Sequence, residues 1–136
     1  MKVFICIDKD GGMMFNHRRQ SRDRTVVEDV IRHISNRRLY ICPYSKELFP
    51  RYGNIIVSDA PLAAAGGEDC CFIENTALAP YRSKISELIV YNWNRAYPSD
   101  LKLDISLLPD EWELFEEIEL HGFSHQKITK GVYRKR

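Results

Sequence analysis

The first 58 residues alternate apolar runs of strand length with helical segments, and this alternation restricts the fold more than any other feature. KVFICI (2–7) is a continuous apolar run typical of a central strand, and RLYIC (38–42) and NIIVS (54–58) are two further strand-like runs. Between them, apolar residues recur at helical spacing over 26–34, and YSKELF (44–49) predicts a short helix. Because parallel neighbours need crossover connections, this order predicts helices packed on a mainly parallel sheet.

Residues 59–93 continue the alternation. The segment 59–69 contains two adjacent glycines and predicts a loop, and CCFI (70–73) predicts a short buried strand. A helix over 75–84 should end or kink at Pro80, because proline cannot donate to the helical ladder. ELIVYNW (87–93) then predicts another strand. This region therefore adds two strands and a broken helix to the sheet.

About the last forty residues predict strands that pair in antiparallel and not in parallel. WELFEEIEL (112–120), a turn through HGFSH and the run KITKGVYRK (127–135) are typical of an antiparallel hairpin. The sequence as a whole predicts one α/β domain over residues 1–136. Its sheet is mixed and mainly parallel, is flanked by helices, and ends in a C-terminal antiparallel hairpin.

Length and composition indicate an ordinary globular chain. A chain of 136 residues is long enough to bury about two-thirds of its unfolded surface. Only five apolar residues separate Lys2 from Asp8, which does not resemble a signal peptide, and no run approaches membrane length. The four cysteines show no CxxC spacing and lie mostly in apolar runs, which predicts reduced, buried thiols. We expect a cytoplasmic protein that does not bind membranes.

Charge is balanced overall but segregated along the chain. The net charge of +1 argues against general nucleic-acid affinity. Residues 17–24 hold four arginines and one carboxylate, and residues 98–119 hold eight carboxylates and one lysine. The tail from 127 to 136 is basic again. If the hairpin strands are neighbours, opposite charges face each other, which stabilises the pair by about a few tenths of a kcal/mol per contact.

Three motifs together resemble those of a known enzyme family in a shortened form. KISELIVYNWNRAYPSDLKLD (84–104) followed by LPDEWEL (108–114) has the family's order of a strand, an acidic turn and an aspartate-rich step before a tryptophan strand. NIIVS (54–58) follows a strand–helix pair. GMMFN (12–16) follows the first strand, where the family has its mobile active-site loop. With gaps, the resemblance covers nearly the whole chain and implies a divergent dihydrofolate reductase-like fold.

The cofactor motifs of that family are missing. Dihydrofolate reductases bind the NADPH pyrophosphate through adjacent glycines after a buried strand, because only glycine lets the backbone approach the phosphates. Here Ile73 and Glu74 occupy that place. CPYSKEL (42–48) replaces the family's Gly-Arg-x-Thr step and leaves only Ser45 and Lys46 as substitutes. The Pro-Trp pair of the mobile loop is also absent. The cofactor stays unknown, and NADPH is disfavoured.

Two aspartates match functional positions of the family. The family's catalytic carboxylate lies at the start of the first helix, and Asp23 falls there, eleven residues after Gly12. The resemblance implies that Asp23 is a catalytic group; the alternative is a plain helix cap, since aspartate is among the favoured capping residues. Asp100 matches the aspartate that holds the mobile loop, and its alternative is an ordinary turn carboxylate.

The loop GMMFNHRRQSRD (12–23) also resembles a loop in short bacterial proteins that carry a loose ribonuclease Z label. True ribonuclease Z has a metallo-β-lactamase fold and needs an HxHxDH cluster for its two zinc ions. This chain has only His17, His33, His121 and His125, and none of them forms that motif. The four-residue spacing in HGFSH includes a glycine in a predicted turn, so we expect no metal site.

The basic loop before the first helix is the principal candidate site. Arginine binds carboxylate and phosphate with a planar fork, and a helix N-terminus adds N–H donors. The loop follows the carboxyl end of the first strand, where open α/β sheets bind ligands. We predict that an anionic or nucleotide-like small molecule contacts Asn16, Arg18, Arg19, Gln20, Ser21 and Arg22. The alternative is a solvated loop whose arginines pair with the acidic hairpin or with nothing.

Two later segments supply the remaining candidates. Asn94 and Arg95 lie at the end of one predicted strand, and His125 and Lys127 lie at the beginning of the last, so both pairs could converge on the first loop if the fold is as predicted. His125 is a candidate catalytic group for proton transfer, and the other three are candidate ligand contacts. The alternative is that these side chains only satisfy turn backbone. Trp93 predicts core packing or, as a second reading, stacking on a flat ligand.

Three functional hypotheses follow from the sequence. The first is a divergent dihydrofolate reductase-like protein that binds an anionic or nucleotide-like molecule, with or without catalysis. The second is an NADPH-dependent reductase with an altered cofactor site and Asp23 as proton donor. The third is an RNA-binding or protein-interaction module, which the thin aromatic interleaving among the basic residues disfavours. We adopt the first; ligand, turnover and oligomeric state stay open.

Overall fold

A computed structural model describes residues 1–50 and 53–136. The strands are Lys2–Ile7 (β1), Gly12–Phe15 (β2), Arg18–Arg19 (β3), Leu39–Ile41 (β4), Ile55–Val57 (β5), Cys70–Phe72 (β6), Glu87–Asn92 (β7), Leu101–Lys102 (β8), Trp112–Leu120 (β9) and Ile128–Lys135 (β10). The helices are Arg24–Ile34 (α1) and Pro61–Ala64 (α2), and two 3₁₀ helices span Pro43–Leu48 and Ala79–Lys84.

The main sheet has the order β5-β4-β6-β1-β7-β10-β9, with a small second sheet of order β3-β2-β8. Strands β5, β4, β6, β1 and β7 pair in parallel. The predicted mixed, mainly parallel architecture is therefore confirmed. The short parallel strands place their carboxyl ends along one edge, next to the segment that enters α1.

Apolar side chains cover both faces of the sheet. The apolar side of α1, from Val26 to Ile34, packs with Phe4, Phe72 and Tyr91 in one cluster. On the opposite face, residues around α2 and the second 3₁₀ helix pack in another cluster. Successive residues of a strand point to opposite faces, so the adjacent cysteines of β6 separate into different clusters. The cysteines are free thiols, as the sequence predicts.

The C-terminal hairpin is antiparallel, as predicted: β10 pairs with β7 on one side and with β9 on the other. Glu113 lies opposite Arg134, and Glu119 forms an ion pair with Lys127 at 2.9 Å. Lys130 instead points into the protein and makes a buried ion pair with Asp29 of α1 at 2.8 Å. Part of the charge asymmetry therefore stabilises the hairpin, and part of it fixes α1 to the sheet.

Strand β9 forms one edge of the main sheet. Among the residues that the structure describes, it pairs only with β10. Its outward residues include four exposed glutamates, and Leu114, Phe115 and Ile118 are exposed between them. The Arg134 guanidinium lies 3.4 Å from the centre of the Phe115 ring and covers part of this apolar surface.

Local structure departs from the sequence predictions in three places. Residues 12–15 form strand β2 and not a loop, because they pair with β3 and β8. The segment 59–69 contains the four-residue helix α2, which begins at a proline. The segment 75–84 is helical only from Ala79, where a 3₁₀ helix begins. The Asp104 carboxylate accepts the N–H groups of Leu78 and Ala79 and fixes the start of this helix.

Among the described residues, no helix combines the length and the apolar character that crossing a bilayer requires.

Candidate functional site

A cavity of about 630 Å³ opens beside the N-terminal half of α1. Its apolar wall includes Val27 and Ile31 of α1 and Leu48 of the first 3₁₀ helix. Arg22 and Arg24 line it from the segment that enters α1. The guanidinium-rich loop therefore borders a concave surface near the carboxyl edge of the sheet, in the kind of place where open α/β sheets bind ligands.

Asp23 is the structural centre of this region. It is the N-cap of α1, and its Oδ1 accepts the backbone N–H groups of Thr25 at 2.9 Å and Phe123 at 3.0 Å. Its Oδ2 accepts the backbone N–H of Ser124 and the ring Nδ1 of His125, both at 2.9 Å. The side chain is fully buried, at 0% exposure. One carboxylate thus joins the start of α1 to the turn before β10.

These contacts determine the charge state of Asp23. Burial alone favours the neutral acid, but the hydrogen bonds from His125 and from three backbone N–H groups outweigh it. They hold the pKa of the Asp23 carboxyl far below its ordinary value. The group is therefore an ionised acceptor at neutral pH. Its role as a helix cap is confirmed, and the geometry adds a second role as the partner of His125.

Gly122 is required for this arrangement. A Cβ atom on Gly122 would lie 2.5 Å from Asp23 Oδ2 and 2.7 Å from the His125 carbonyl oxygen. The Gly122 N–H donates to that carbonyl at 2.9 Å and closes the turn. Only a residue without a side chain lets the carboxylate and the turn approach so closely.

His125 lies between Asp23 and Ser21. Its Nδ1 is 2.9 Å from Asp23 Oδ2, and its Nε2 is 2.8 Å from the Ser21 hydroxyl oxygen. The ring stacks on Trp93, with centroids 4.6 Å apart and an angle of 28° between planes. An ionised carboxylate can only accept, so the Asp23 contact requires a proton on Nδ1, and in a neutral imidazole Nε2 then accepts from the Ser21 O–H. Three residues predicted separately from the sequence therefore form one hydrogen-bonded chain.

The four arginines of the loop have different surroundings. Arg19 lies with its side chain 11% exposed, and its Nε and Nη2 donate to the two oxygens of Glu74 at 2.8 and 3.1 Å. It also contacts Glu47 and lies over the Tyr44 ring at 4.3 Å. Ser45 donates to Glu74 at 2.6 Å. Arg19 of the loop therefore compensates the charge of Glu74, which lies just after β6, and this ion pair occupies the place where an anion would bind.

Arg22 and Arg24 are the exposed arginines at the cavity. The Arg22 side chain is 60% exposed, and its nearest carboxylate contact is Glu47 at 4.0 Å. The Arg24 guanidinium lies over the exposed Phe123 ring at 4.9 Å. Arg18 belongs to β3 and lines a separate hollow of about 250 Å³ on the other side of the loop, next to Tyr97.

Asn16 and Gln20 attach the loop to neighbouring segments of the chain. The Asn16 N–H donates to the Asp100 carboxylate at 3.0 Å, so Asp100 holds the loop as the resemblance implied. Gln20 Nε2 donates to buried Asp8 at 3.1 Å and to the Pro98 carbonyl at 3.2 Å. Its oxygen is buried and has no partner among the described residues.

The candidates after β7 lie elsewhere. The Asn94 side chain donates to the Lys127 carbonyl at 3.2 Å and to the Thr129 hydroxyl at 2.9 Å, and Lys127 pairs with Glu119. The Arg95 carbonyl accepts the Lys9 N–H at 3.0 Å. The structure brings Asn94 and Lys127 together, but it places neither of them, nor Arg95, on the wall of the 630 Å³ cavity.

Sequence reasoning missed several residues of the site. It treated Glu74 only as an obstacle to phosphate, and it did not anticipate the Arg19–Glu74 ion pair. It also missed Gly122 and the Phe123 wall, although glycine followed by an aromatic residue in a turn between strands was a usable signal. In the described part of the chain, no group of three or more metal-ligating side chains occurs.

Sheet order, the C-terminal hairpin and the cavity at the strand ends define a mixed α/β protein with a ligand-sized cleft. Among solved structures, dihydrofolate reductase from Enterococcus faecalis complexed with NADP(H) and RAB-propyl matches it with a TM-score of 0.68. The match covers 99% of this chain and 95% of that chain, at 8% sequence identity. The fold is therefore dihydrofolate reductase-like. No family model matches the sequence, and no curated protein sequence matches it either.

Proposed function

We propose that this chain is a divergent dihydrofolate reductase-like protein that binds a small molecule with an anionic group and a flat or apolar body in the cavity beside α1. The observation that carries the proposal is that two exposed guanidinium groups, Arg22 and Arg24, lie beside an apolar wall in a cavity large enough for a small ligand. The guanidinium groups supply charged hydrogen bonds, and the wall of Val27, Ile31 and Leu48 supplies apolar contact.

The end of β6 argues against NADPH as the ligand. In the family that the sequence resembles, glycines at this place let the backbone approach the pyrophosphate. Here Glu74 lies there in a buried cluster with Arg19 and Ser45. A bound pyrophosphate would have to displace this ion pair and then face an uncompensated carboxylate, which is costly in a buried site. The reductase with an altered cofactor site is therefore the weaker hypothesis.

The surroundings of Asp23 also disfavour a direct proton donor. Its side chain has 0% exposure, its pKa is far below the ordinary value, and hydrogen bonds occupy both carboxylate oxygens. A general acid needs a proton to give and contact with the reacting atom. We assign Asp23 a positioning role, through the turn at 122–125.

The surface supports nucleic-acid binding least. The arginines of the loop point into three different environments, since Arg19 is paired, Arg18 lines a separate hollow and Arg22 borders the cavity. The neighbouring edge strand β9 carries four exposed glutamates, which would repel a phosphate backbone.

Binding can be measured by isothermal titration calorimetry with nucleoside monophosphates and with aromatic carboxylates as probes. We expect one probe class to bind the folded protein, and we expect Arg22→Ala with Arg24→Ala to weaken it by about 5- to 150-fold, the equivalent of about 1–3 kcal/mol in charged hydrogen bonds. Arg37→Ala is the matched control, because Arg37 is exposed beyond the far end of α1.

Two parallel titrations separate the alternatives. NADPH binding that survives the double arginine substitution would favour the reductase hypothesis. RNA binding that weakens steeply with salt would favour the nucleic-acid hypothesis. Equal probe affinity in the double variant and in the parent would refute the proposed site.

A further inference from the structure

We propose that Ser21 is an acyl-accepting nucleophile, activated by His125 and positioned through Asp23, and that the chain hydrolyses small carboxylic esters. The geometry that carries this inference is the chain Ser21 Oγ to His125 Nε2 at 2.8 Å and His125 Nδ1 to Asp23 Oδ2 at 2.9 Å. Nucleophile, base and carboxylate in this order are the arrangement that activates a serine on many unrelated folds. The inference does not depend on the anionic ligand proposed above.

The protons of this chain are placed as the reaction requires. Asp23 accepts from the backbone N–H groups of Thr25, Phe123 and Ser124, so it has no proton to share with the imidazole. In the neutral imidazole the proton therefore lies on Nδ1, and the Nε2 lone pair faces the Ser21 hydroxyl. A neutral imidazole with this tautomer is a general base for the serine O–H.

The imidazole is also held in one orientation. Trp93 stacks on the face of the His125 ring, with the ring centroids 4.6 Å apart, and His125 is only 4% exposed. Asp23 is fixed by the cap of α1 and by the turn that Gly122 permits. A base that is oriented before substrate binds needs no reorganisation in the transition state.

Ser21 itself lies next to the larger cavity. It is partly exposed, unlike His125 and Asp23. It lines a small pocket of about 10 Å³ together with Arg22, Leu48 and Glu74, and this pocket shares Arg22 and Leu48 with the larger cavity. In this proposal an ester bound in the larger cavity reaches Ser21 from the side where Arg22 and Leu48 border both pockets, and the exposed Arg22 guanidinium is the available partner for the negative charge that develops on the carbonyl oxygen.

The reaction balances with water as the only co-reactant. Ser21 Oγ bonds to the ester carbonyl carbon while its proton moves to His125 Nε2. The bond between that carbon and the alkoxy oxygen then breaks, and the Nε2 proton leaves with the alcohol. Water next adds to the acyl carbon and gives a proton to Nε2. Finally the bond to Ser21 breaks, and the proton returns to Oγ as the carboxylic acid departs.

The decisive experiment treats the full chain with a fluorophosphonate and maps the adduct by peptide mass spectrometry. We expect one adduct, on Ser21, and no adduct in Ser21→Ala. His125→Gln should slow labelling of Ser21 at least 100-fold, because general-base assistance is typically worth about 10²–10⁴. Ser106→Ala is the control, because Ser106 is an exposed serine outside the hydrogen-bonded chain.

Two measurements keep the test valid if His125→Gln fails to fold. The wild-type protein alone must form the Ser21 adduct and release p-nitrophenol from p-nitrophenyl acetate with a burst, and the absence of both overturns the proposal. Nitrogen-15 shifts of the His125 ring must show the proton on Nδ1, and a proton on Nε2 also overturns it. Labelling of Ser21 no faster than labelling of Ser106 shows that the chain of hydrogen bonds only holds the turn in place.

Discussion

The substitution Asp23→Asn tests the central claim about this site, that one ionised carboxylate fixes both the start of α1 and the turn at 122–125. Asp23 accepts two N–H groups on Oδ1 and two on Oδ2, and both oxygens are buried. An asparagine has only one oxygen. With its NH₂ group in the Oδ1 place, asparagine leaves the N–H groups of Thr25 and Phe123 without this acceptor. In the Oδ2 place it leaves the Ser124 N–H without this acceptor, while the His125 ring can change tautomer and accept on Nδ1.

The magnitude follows from the less costly orientation, which leaves one donor without an acceptor. A buried unsatisfied group costs about 1–3 kcal/mol, so we expect Asp23→Asn to lower the free energy of unfolding by about 1–3 kcal/mol. This is a large fraction of the roughly 5–15 kcal/mol that stabilises a typical domain. Urea denaturation at pH 7, followed by tryptophan fluorescence, measures the loss, because Trp93 stacks on His125 beside the substituted group.

The pH dependence gives a second measurement of the same claim. The folded-state pKa of Asp23 lies far below its ordinary value, which is about 3.9 in an unfolded chain. Below about pH 4 the unfolded chain therefore binds a proton that the folded chain does not bind, and stability falls as the pH falls. Asp23→Asn removes this contribution, so its stability should fall less steeply with acid. Asp59→Asn, at an exposed carboxylate, is the control. A loss below about 1 kcal/mol at pH 7, with an unchanged acid slope, would refute this reasoning.

Three further predictions concern packing around the site. Gly122→Ala should destabilise the protein by about 1–3 kcal/mol, because the new Cβ must displace a carboxylate oxygen that lies 2.5 Å away; unchanged urea midpoints would contradict this. Asp29→Asn should lower the free energy of unfolding by about 3–5 kcal/mol, because it leaves the buried Lys130 charge unpaired. The double variant Asp29→Leu with Lys130→Met should lose much less stability than the sum of the losses for Asp29→Leu alone and Lys130→Met alone; an additive double-mutant cycle would contradict this. Glu74→Gln should cost about 1.5–3 kcal/mol, because the charge-assisted bonds from Arg19 are lost, and chemical denaturation that shows no change would rule out a structural role for this pair.

The fold was predictable from sequence because its signals are local. The continuous apolar run of β1 and the alternation that follows it indicate a buried parallel sheet, and the acidic and basic halves of the hairpin indicate an antiparallel pair. Residues 12–15 escaped prediction because their strand partners come from β3 and β8, and β8 lies almost ninety residues further along the chain. A two-residue partner strand leaves no periodic signal.

The site was predictable only in part, for a related reason. Asp23, Ser21 and His125 were each singled out, yet nothing in the sequence showed that they touch, since His125 is separated from the other two by more than a hundred residues. The four arginines of the loop look alike in the sequence. Which of them becomes buried depends on Glu74, which approaches from another strand. Local patterns therefore predicted the chemistry of the loop, and tertiary contacts determined which of its arginines are paired within the protein.

The outer strand β9 has a consequence for behaviour in concentrated solution. Within the described residues only β10 pairs with this strand, so its outer side presents backbone donors and acceptors that are a template for joining another copy of the chain. The glutamates along it oppose such joining, because two of these strands side by side would bring like charges together. At low pH the glutamates become protonated and this repulsion is lost, while Leu114, Phe115 and Ile118 stay exposed. We therefore expect ordered aggregation at low pH to begin at this edge strand.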